Sequence, residues 1–350
     1  MSEQGPPAPR ANPHLFGHAA AEEVFERAWR SGRLPHAWLL QGPPGIGKAT
    51  LAYRLARRIL AGPGMVDPND PESAIFRRIA HGSEPDLFAL ANEVNPRSNR
   101  MSGVILVGQA RDLTTALHAT AVGRHGRVIV VDAADDLNRN TANALLKLIE
   151  EPPAGVVLLL VCHAPGRVPR TILSRCARLR LQPLAPEPMA KALAAAGLAA
   201  PGEASPALLA LAKGAPGRYA MLGAAGYLEH YAALLDALIA GRDDRRPLVE
   251  AADRLAGIGN AGLVVELLAL ILRRAAEQAT RGAIDPELAP GEASRLAALV
   301  GGRRLDRWMG LWDKLRDLPG ELDHLNLDPR QTLYLALASL AGATRERLAG

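Results

Sequence analysis

A glycine-rich loop at residues 42–48 is the segment of the sequence best suited to bind a phosphate group. It reads Gly-Pro-Pro-Gly-Ile-Gly-Lys, with glycines at Gly42, Gly45 and Gly47 and a lysine at Lys48. Glycines let consecutive backbone N–H groups turn toward an anion, and a helix that begins directly after the loop adds its positive end. The Lys48 ammonium can reach the outer phosphates of a nucleoside triphosphate. The segment therefore predicts a phosphate-binding loop of the P-loop type.

The residues after Lys48 differ from those of a P-loop that uses magnesium. A serine or threonine hydroxyl normally follows the lysine and binds Mg²⁺. Here that position holds Ala49, and a hydroxyl comes one residue later, at Thr50. One residue turns a helix by roughly 100°, so Thr50 cannot occupy the same point. Two interpretations stay open: the loop binds a nucleotide with doubtful help from Mg²⁺, or the chain keeps it for its shape alone.

A second acidic motif, Val-Ile-Val-Val-Asp at residues 128–132, fits an apolar strand that ends in a carboxylate. Such a carboxylate holds Mg²⁺ in P-loop enzymes, which makes Asp132 a candidate for the same site. The alternative is a carboxylate that only ends the strand. The next residue is Ala133, which can neither accept a proton nor orient water. Because the hydroxyl after Lys48 is also replaced, we predict that the chain hydrolyses little or no ATP by itself.

The elements that must position these groups read as a parallel α/β sheet. Apolar runs at 37–40, 127–132 and 156–161 are continuous rather than alternating, which predicts strands that are buried on both faces. Helical patterns follow at about 48–61 and 140–151. Strands that alternate with helices predict a parallel sheet with right-handed crossovers.

The rest of the chain predicts an arm, an insertion and helical domains. Residues 1–13 read as a flexible N-terminal arm, and 62–102 as an irregular insertion with one short helix. The strand signal fades after Pro183. We expect an α/β P-loop domain at 14–183, followed by two helical parts. They are a small lid domain at 184–225 and an all-α collar domain, for oligomerisation, at 226–350.

The composition limits the compartment and the kinds of site. Of the 350 residues 48% are hydrophobic and 22% charged, which allows a sizeable core. The net charge of +5 permits contact with an acidic partner such as DNA without requiring it. The two cysteines, Cys162 and Cys176, exclude a disulfide framework and a zinc site with several thiolates. Reduced thiols and the lack of an apolar leader or membrane-spanning run predict a cytoplasmic protein.

Several longer stretches resemble the bacterial clamp-loader subunits of the AAA+ class of P-loop proteins. Those that carry the resemblance are Pro-His-Leu-Phe-Gly-His at 13–18, His-Ala-Trp-Leu-Leu at 36–40, Glu-Pro-Asp-Leu at 84–87, Val-Gly-Gln-Ala-Arg at 107–111, Asn-Thr-Ala-Asn-Ala-Leu-Leu-Lys-Leu-Ile-Glu-Glu-Pro-Pro at 140–153 and Val-Pro-Arg-Thr-Ile-Leu-Ser-Arg-Cys at 168–176. The resemblance is dense over residues 13–183, and weaker matches follow at 213–218 and 325–330. It is closest to the delta-prime branch of the DNA polymerase III clamp loaders.

This resemblance implies partners and roles for named residues. The partners would be gamma/tau and delta subunits in a hetero-pentamer that loads a sliding clamp onto primed DNA. Arg175, in Ser-Arg-Cys, would act as an arginine finger on ATP held by the neighbouring subunit; the alternative is an arginine paired with a local carboxylate. The Cys162-His163 pair lies where relatives keep a polar residue that senses the γ-phosphate, unless it only packs at a strand end. Gly217 lies where a sensor arginine would fall. Many relatives carry a four-cysteine zinc module, which 62–102 lacks.

Other classes of function predict different residues. An ATP-hydrolysing gamma/tau-type subunit, the main alternative, predicts Ser or Thr at position 49, Glu at position 133 and usually the zinc module. An independent AAA+ ATPase requires intact catalytic motifs, and a DNA-binding module requires a helix-turn-helix or a basic stripe. Nothing in the chain predicts polymerase chemistry, so its place in a DNA-synthesising holoenzyme would be by association.

Overall fold

The computed structural model describes residues 6–64, 67–91, 94–95, 100–101, 123, 125–241, 243–257, 261–300 and 329–342. The chain divides into two compact units. The first contains residues 1–204 and 212–221, and the second contains 205–211 and 222–350. Residues 107–111 and 325–328, which contributed to the resemblance, lie outside the described residues, as do parts of the arm, insertion and collar expected from the sequence.

A parallel sheet of five strands forms the centre of the first unit, as the apolar runs predicted. The strands of the unit are β1 (Ala37–Gln41), β2 (Leu87–Ala91), β3 (Val94–Asn95), β4 (Arg100–Met101), β5 (Arg127–Asp132), β6 (Val156–Cys162) and β7 (Ala177–Arg180). The parallel sheet has the order β2-β5-β6-β1-β7, and β3 pairs with β4 in a separate antiparallel ribbon. Leu39 of β1 lies opposite Leu160 of β6, and Ile129 of β5 lies opposite Leu158.

Helices cover both faces of this sheet. The helices within residues 1–204 of the first unit are α1 (Ala19–Arg30), α2 (Lys48–Ala61), α3 (Ala74–His81), α4 (Arg139–Glu150), α5 (Arg170–Leu173) and α6 (Pro186–Ala195), of which α1, α2, α4 and α5 pack on the sheet. On one face α1 and α2 pack Phe25 and Leu55 against Leu40. On the other, α4 packs Leu145 against Leu160. All seven residues of β6 are buried, which explains why its sequence is a continuous apolar run.

Two strands of the parallel sheet differ from what the sequence predicts. β2 lies inside the segment expected to be irregular, 62–102, and β7 was not predicted as a strand. Both are edge strands that pair with one neighbour each. In β2 only Leu90 is buried, and in β7 only Leu179. The four residues of β7, Ala-Arg-Leu-Arg, are too short a pattern to be recognised, whereas β2 is an apolar run, Leu-Phe-Ala-Leu-Ala, inside a segment rich in Pro, Asp and Arg.

The second unit is helical in its described part. The remaining helices of the chain are α7 (Pro206–Ala212), α8 (Pro216–Ala224), α9 (Tyr227–Ala240), α10 (Arg246–Gly257), α11 (Ala261–Arg281), α12 (Glu292–Val300) and α13 (Pro329–Gly342). Residues 184–225, expected to form a lid, contribute to both units, and the division into three domains stays a prediction. Among the helices that the structure describes, none is long and apolar enough to span a membrane.

A buried polar cluster ties three segments of the helical core together. The Glu292 carboxylate is completely buried and accepts hydrogen bonds from the Tyr231 hydroxyl and from the Arg274 guanidinium, whose Nη2 lies 2.8 Å from Oε2. The backbone N–H of Leu288 donates to the same oxygen. Every oxygen of this buried charge is thus paired, which is the condition under which a protein core tolerates a carboxylate.

Candidate nucleotide-binding site

A cavity of about 440 Å³ in the first unit brings most of the predicted site residues together. It lies where β1, β5 and β6 end, as expected for a ligand site of an open parallel sheet. Residues 45–50 of the glycine-rich loop and of the start of α2 form one wall. Asp132 and His163 line it from the ends of the neighbouring strands, while residues 184–198 and Pro216 add apolar surface.

The glycine-rich loop has the backbone shape that its sequence predicts. The chain leaves β1, turns through Gly45 at φ 74° and Gly47 at φ 107°, and enters α2 at Lys48. Both φ values lie in the region that side chains with a Cβ atom rarely adopt. The predicted strand, loop and helix are therefore present with the boundaries expected. Gly42 lies at the end of β1 and contributes its carbonyl group rather than cavity wall.

Lys48 is the buried cation of the cavity. Its side chain is 2% exposed, and its Nζ donates to the carbonyl oxygens of Gly42 at 2.7 Å and Pro43 at 2.6 Å. Burial lowers the pKa of this amine to about 8, although the negative charges of Asp132 and Asp135 oppose that change. Carbonyl dipoles are weaker partners for an ammonium than an anion is. An incoming phosphate would therefore be a better partner for Lys48 than its present acceptors.

The magnesium hydroxyl and the water-activating carboxylate are replaced by methyl groups. Ala49 and Thr50 both line the cavity, and Thr50 is 8% exposed at the first turn of α2. Asp132 faces the cavity from the end of β5, and burial raises the pKa of its carboxyl group. Ala133 is 3% exposed and packs in the apolar cluster on the α2 face. The residues present fit the phosphates of a nucleotide better than they fit a bound Mg²⁺ ion.

Asp135 lies two residues after Ala133, and its carboxylate has another task. Its Oδ1 accepts the backbone N–H of His163 at 2.8 Å, and its Oδ2 accepts that of Ala164 at 3.1 Å. These bonds fix the turn after β6, so the carboxylate holds the cavity wall in place. Among the buried side-chain atoms that the structure describes, Nδ1 of His163 has no hydrogen-bond partner.

The loop is in direct backbone contact with the start of α8. The N–H of Gly217 donates to the carbonyl oxygen of Gly45 at 2.8 Å. A Cβ atom at Gly217 would lie 2.9 Å from the Gly45 Cα, and one at Gly45 would lie 2.5 Å from the backbone nitrogen of Arg218. Side-chain carbons do not approach backbone atoms this closely. The glycine-rich loop touches the backbone at position 217. A glycine fits there, and the side chain of an arginine would not.

Arg175 lies outside this cavity. It follows the short helix α5, and its guanidinium donates to the carbonyl of Thr171 at 3.1 Å and pairs with the Glu150 carboxylate at 2.9 Å. The side chains of Arg175 and Glu150 are each 42% exposed. The pairing with a local carboxylate, which the sequence left open, is thus present. An ion pair this exposed contributes little stability, so it leaves Arg175 free to exchange partners.

His18 supports the loop, and its role was not recognised from the sequence. It is 4% exposed, and its Nε2 donates to the carbonyl oxygen of Ile46 at 2.8 Å. Burial lowers the pKa of this imidazole. The only sequence signal was its place in the 13–18 stretch that carries the resemblance, because a hydrogen bond to a distant carbonyl leaves no local pattern.

Comparison with known proteins shows which family the first unit is similar to. Residues 17–185 match the sequence profile of the family described as DNA polymerase III, delta subunit. The delta' subunit of Pseudomonas aeruginosa is 38% identical over 143 residues, which are 41% of this chain and 42% of that protein. Over residues 17–185 the chain is thus similar to the delta-prime subunits of DNA polymerase III. The resemblance inferred from the sequence motifs is thereby confirmed, and so is the α/β P-loop fold.

Other relatives of the chain are delta' and tau subunits of DNA polymerase III. The delta' subunit of Bacillus subtilis is 32% identical over 155 residues, which are 44% of each chain. The tau subunit of Escherichia coli is 33% identical over 177 residues, which are 49% of this chain and 26% of that protein. The chain thus spans less than half the length of these relatives. Within its described residues, no group of three or more His, Cys, Asp or Glu side chains is arranged to hold a metal ion.

Proposed function

We propose that this chain is the delta-prime subunit of a bacterial DNA polymerase III clamp loader, which loads the sliding clamp onto primed DNA. Its partners would be gamma/tau and delta subunits in a hetero-pentamer, and it would meet the clamp and the DNA through that assembly. The observation that carries the proposal is the family match over residues 17–185. The replacement of both catalytic side chains, at Ala49 and Ala133, supports the delta-prime role over that of an ATP-hydrolysing gamma/tau-type subunit.

The subunit's own site binds a nucleotide such as ATP without turning it over usefully. The loop N–H groups and Lys48 supply the phosphate contacts, and the apolar cavity wall supplies room for the rest of the ligand. Loss of a general base alone costs about 10²–10⁴-fold in rate. Asp135 does not stand in the place of that base, because its carboxylate is held in the turn after β6 by the backbone N–H groups of His163 and Ala164. No hydrolytic step is therefore assigned to this cavity.

Titration of the purified protein with ATP tests this part of the proposal. We expect binding that changes less than about threefold when Mg²⁺ is added, because the metal hydroxyl is replaced by Ala49. Lys48→Ala should abolish binding, and any residual ATPase should be the same in both proteins. ATP turnover that depends on Mg²⁺ and disappears in Lys48→Ala would instead support the gamma/tau-type alternative.

Arg175 would act at the ATP site of the neighbouring subunit. Its guanidinium is a permanent planar cation suited to the charge of a transferring phosphoryl group. It is solvent-accessible at the end of α5, outside its own cavity. The Glu150 carboxylate, the Thr171 carbonyl and the Ser174 hydroxyl would have to release it. Arginine fingers contribute about 10³–10⁵-fold to such reactions.

The finger is tested in a loader reconstituted with gamma/tau and delta subunits. Arg175→Ala should slow hydrolysis at the adjacent ATP site by about 10³-fold or more, while the pentamer still assembles. Arg178→Ala, an exposed arginine three residues away, is the matched control and should leave the rate unchanged. Glu150→Gln removes the ion pair but keeps the finger, and it should not lower the rate. Equal rates in Arg175→Ala and wild type would refute the assignment.

A further inference from the structure

Arg57 of α2 is a completely buried arginine whose hydrogen bonds all go to uncharged oxygens. Its side chain is 0% exposed, and its guanidinium stacks 4.3 Å from the centre of the Phe76 ring. Nη2 donates to the carbonyl of Arg10 at 2.6 Å, and Nη1 donates to the carbonyl of Asn12 at 3.4 Å and to Oδ1 of Asn69 at 3.1 Å. A buried cation is costly unless its environment compensates for the lost water. Two of the three compensating oxygens belong to the N-terminal segment.

That N-terminal segment is one of the walls of the cavity. We call residues 6–13 the strap. Residues 9–11 of the strap form a 3-10 helix that packs against α2 and α3, and the carbonyl of Pro13 accepts a further bond from Arg54 at 2.7 Å. The same strap contributes Pro6, Pro7 and Ala8 to the lining of the cavity. The segment expected from the sequence to be a flexible arm is thus held in place over its described residues 9–13.

One helix therefore carries both the phosphate contact and the anchor of the strap. Lys48 begins α2 at the cavity, and Arg57 lies about two and a half turns farther along the same helix. The wall that the strap supplies consists of three prolines, Ala8 and the uncharged polar residue Asn12, without a charged group. Such a wall suits the base and sugar of a nucleotide, whereas the loop suits its phosphates.

We infer that Arg57 is a positioning residue that holds the strap as the wall against which the uncharged part of a nucleotide packs. It would act through the Arg10 and Asn12 carbonyls without touching the ligand. The inference rests on the proposed nucleotide binding for its effect on affinity, but the anchoring of the strap can be measured without any ligand.

The affinity test compares a ligand that has a base with one that lacks it. Arg57→Met keeps the length and apolar stem of the side chain and removes its donors. We expect it to weaken ADP binding about tenfold and to change inorganic pyrophosphate binding less than twofold, both measured by calorimetry on the full chain. Arg58→Met is the matched control, because Arg58 pairs with Glu26 on the outer surface of the same helix. It should change neither affinity.

The anchoring test uses amide hydrogen exchange of the unliganded protein. The N–H of Ala11 bonds to the Ala8 carbonyl and that of Asn12 to the Pro9 carbonyl. In Arg57→Met their exchange should accelerate at least about tenfold, while the amides of α2 keep their protection. Arg57→Lys, which retains one cationic donor, should lie between the two proteins. Pro9→Gly loosens the strap without altering the core, and it should reproduce the selective loss of ADP affinity.

The possible results separate this inference from the proposed function. Unchanged exchange at Ala11 and Asn12 in Arg57→Met overturns the inference, and so does an equal loss of ADP and pyrophosphate affinity. If the wild-type protein binds neither probe, the proposed nucleotide binding fails, and accelerated exchange would still establish Arg57 as the anchor of the strap. Should Arg57→Met fail to fold, Pro9→Gly tests the inference in its place. Unaltered ADP affinity in Pro9→Gly would show that the strap is not a wall of the nucleotide site.

Discussion

The charge on Lys48 can be varied in solution without changing the sequence, and nucleotide affinity should follow it. Burial lowers the pKa of this amine to about 8. The protonated fraction is then about 0.9 at pH 7 and about 0.1 at pH 9. If phosphate binds only the charged form tightly, the affinity falls about tenfold over this range, or about 1.4 kcal/mol. An unperturbed lysine would stay charged throughout and give a flat profile.

Neighbouring groups do not obscure this titration. Burial lowers the pKa of His163 below its ordinary value of 6.5, so its imidazole stays neutral from pH 7 to 9. Burial raises the pKa of the Cys162 thiol to about 12, so the thiol stays protonated. The lowered pKa of Lys48 also gives the direction of proton exchange on binding. Without a ligand the buried amine is mostly neutral above about pH 8, so phosphate binding there takes up a proton.

Calorimetric titration with ADP at pH 7, 8 and 9, at constant ionic strength, measures the effect. The matched control is Lys48→Arg, because a guanidinium keeps its charge over this range. Its affinity should be nearly independent of pH even if it is weaker at pH 7. A flat profile in the wild-type protein would refute the buried-amine reasoning, and an equal decline in Lys48→Arg would assign the titration to another group.

Three further predictions follow from contacts of single residues. Gly217→Ala should weaken phosphate binding about tenfold, because the added Cβ would press on the glycine-rich loop. Gly223→Ala is the control and should bind normally, because the atom nearest to its Cβ would lie 3.8 Å away. Titration with ADP compares the two variants. Glu292→Gln should lower the free energy of unfolding by about 3–5 kcal/mol in denaturant titrations, because Arg274 loses its buried counter-charge. Burial lowers the pKa of His18, so the folded wild-type protein should lose stability as the pH falls below 6.5. Melting temperatures measured from pH 7.5 to 5.5 should therefore change less in His18→Gln than in the wild-type protein.

The sequence predicts those parts of the fold whose burial is complete. β5 and β6 are continuous apolar runs because both faces of the sheet are covered, and their boundaries agree with the expected ones to within a residue. The start of α2 is predicted equally well, because Gly47 and Lys48 mark it locally. The edge strand β7 buries only Leu179 of its four residues, which is too short a pattern to predict a strand.

Parts of the site could not be predicted, because their partners are backbone atoms far along the chain. Arg57 is held by the carbonyl of Arg10, 47 positions earlier, and His18 by that of Ile46, 28 positions later. Every residue has a carbonyl, so no residue type marks such an acceptor. The same holds for Gly217. The sequence shows that this position is not an arginine, but only the fold shows that the glycine-rich loop fills the space that an arginine side chain would need.

The order in which the chain enters its two units limits how the protein can be produced in pieces. The chain passes from one unit to the other after residues 204, 211 and 221. A fragment ending at 204 lacks Gly217 and Pro216, which complete the cavity. A fragment ending at 221 carries Ala207 and Leu211, which are buried in the helical core of the second unit, and would expose them to water. A soluble nucleotide-binding fragment therefore requires a polar linker in place of residues 205–211, so that residues 212–221 can still close the cavity.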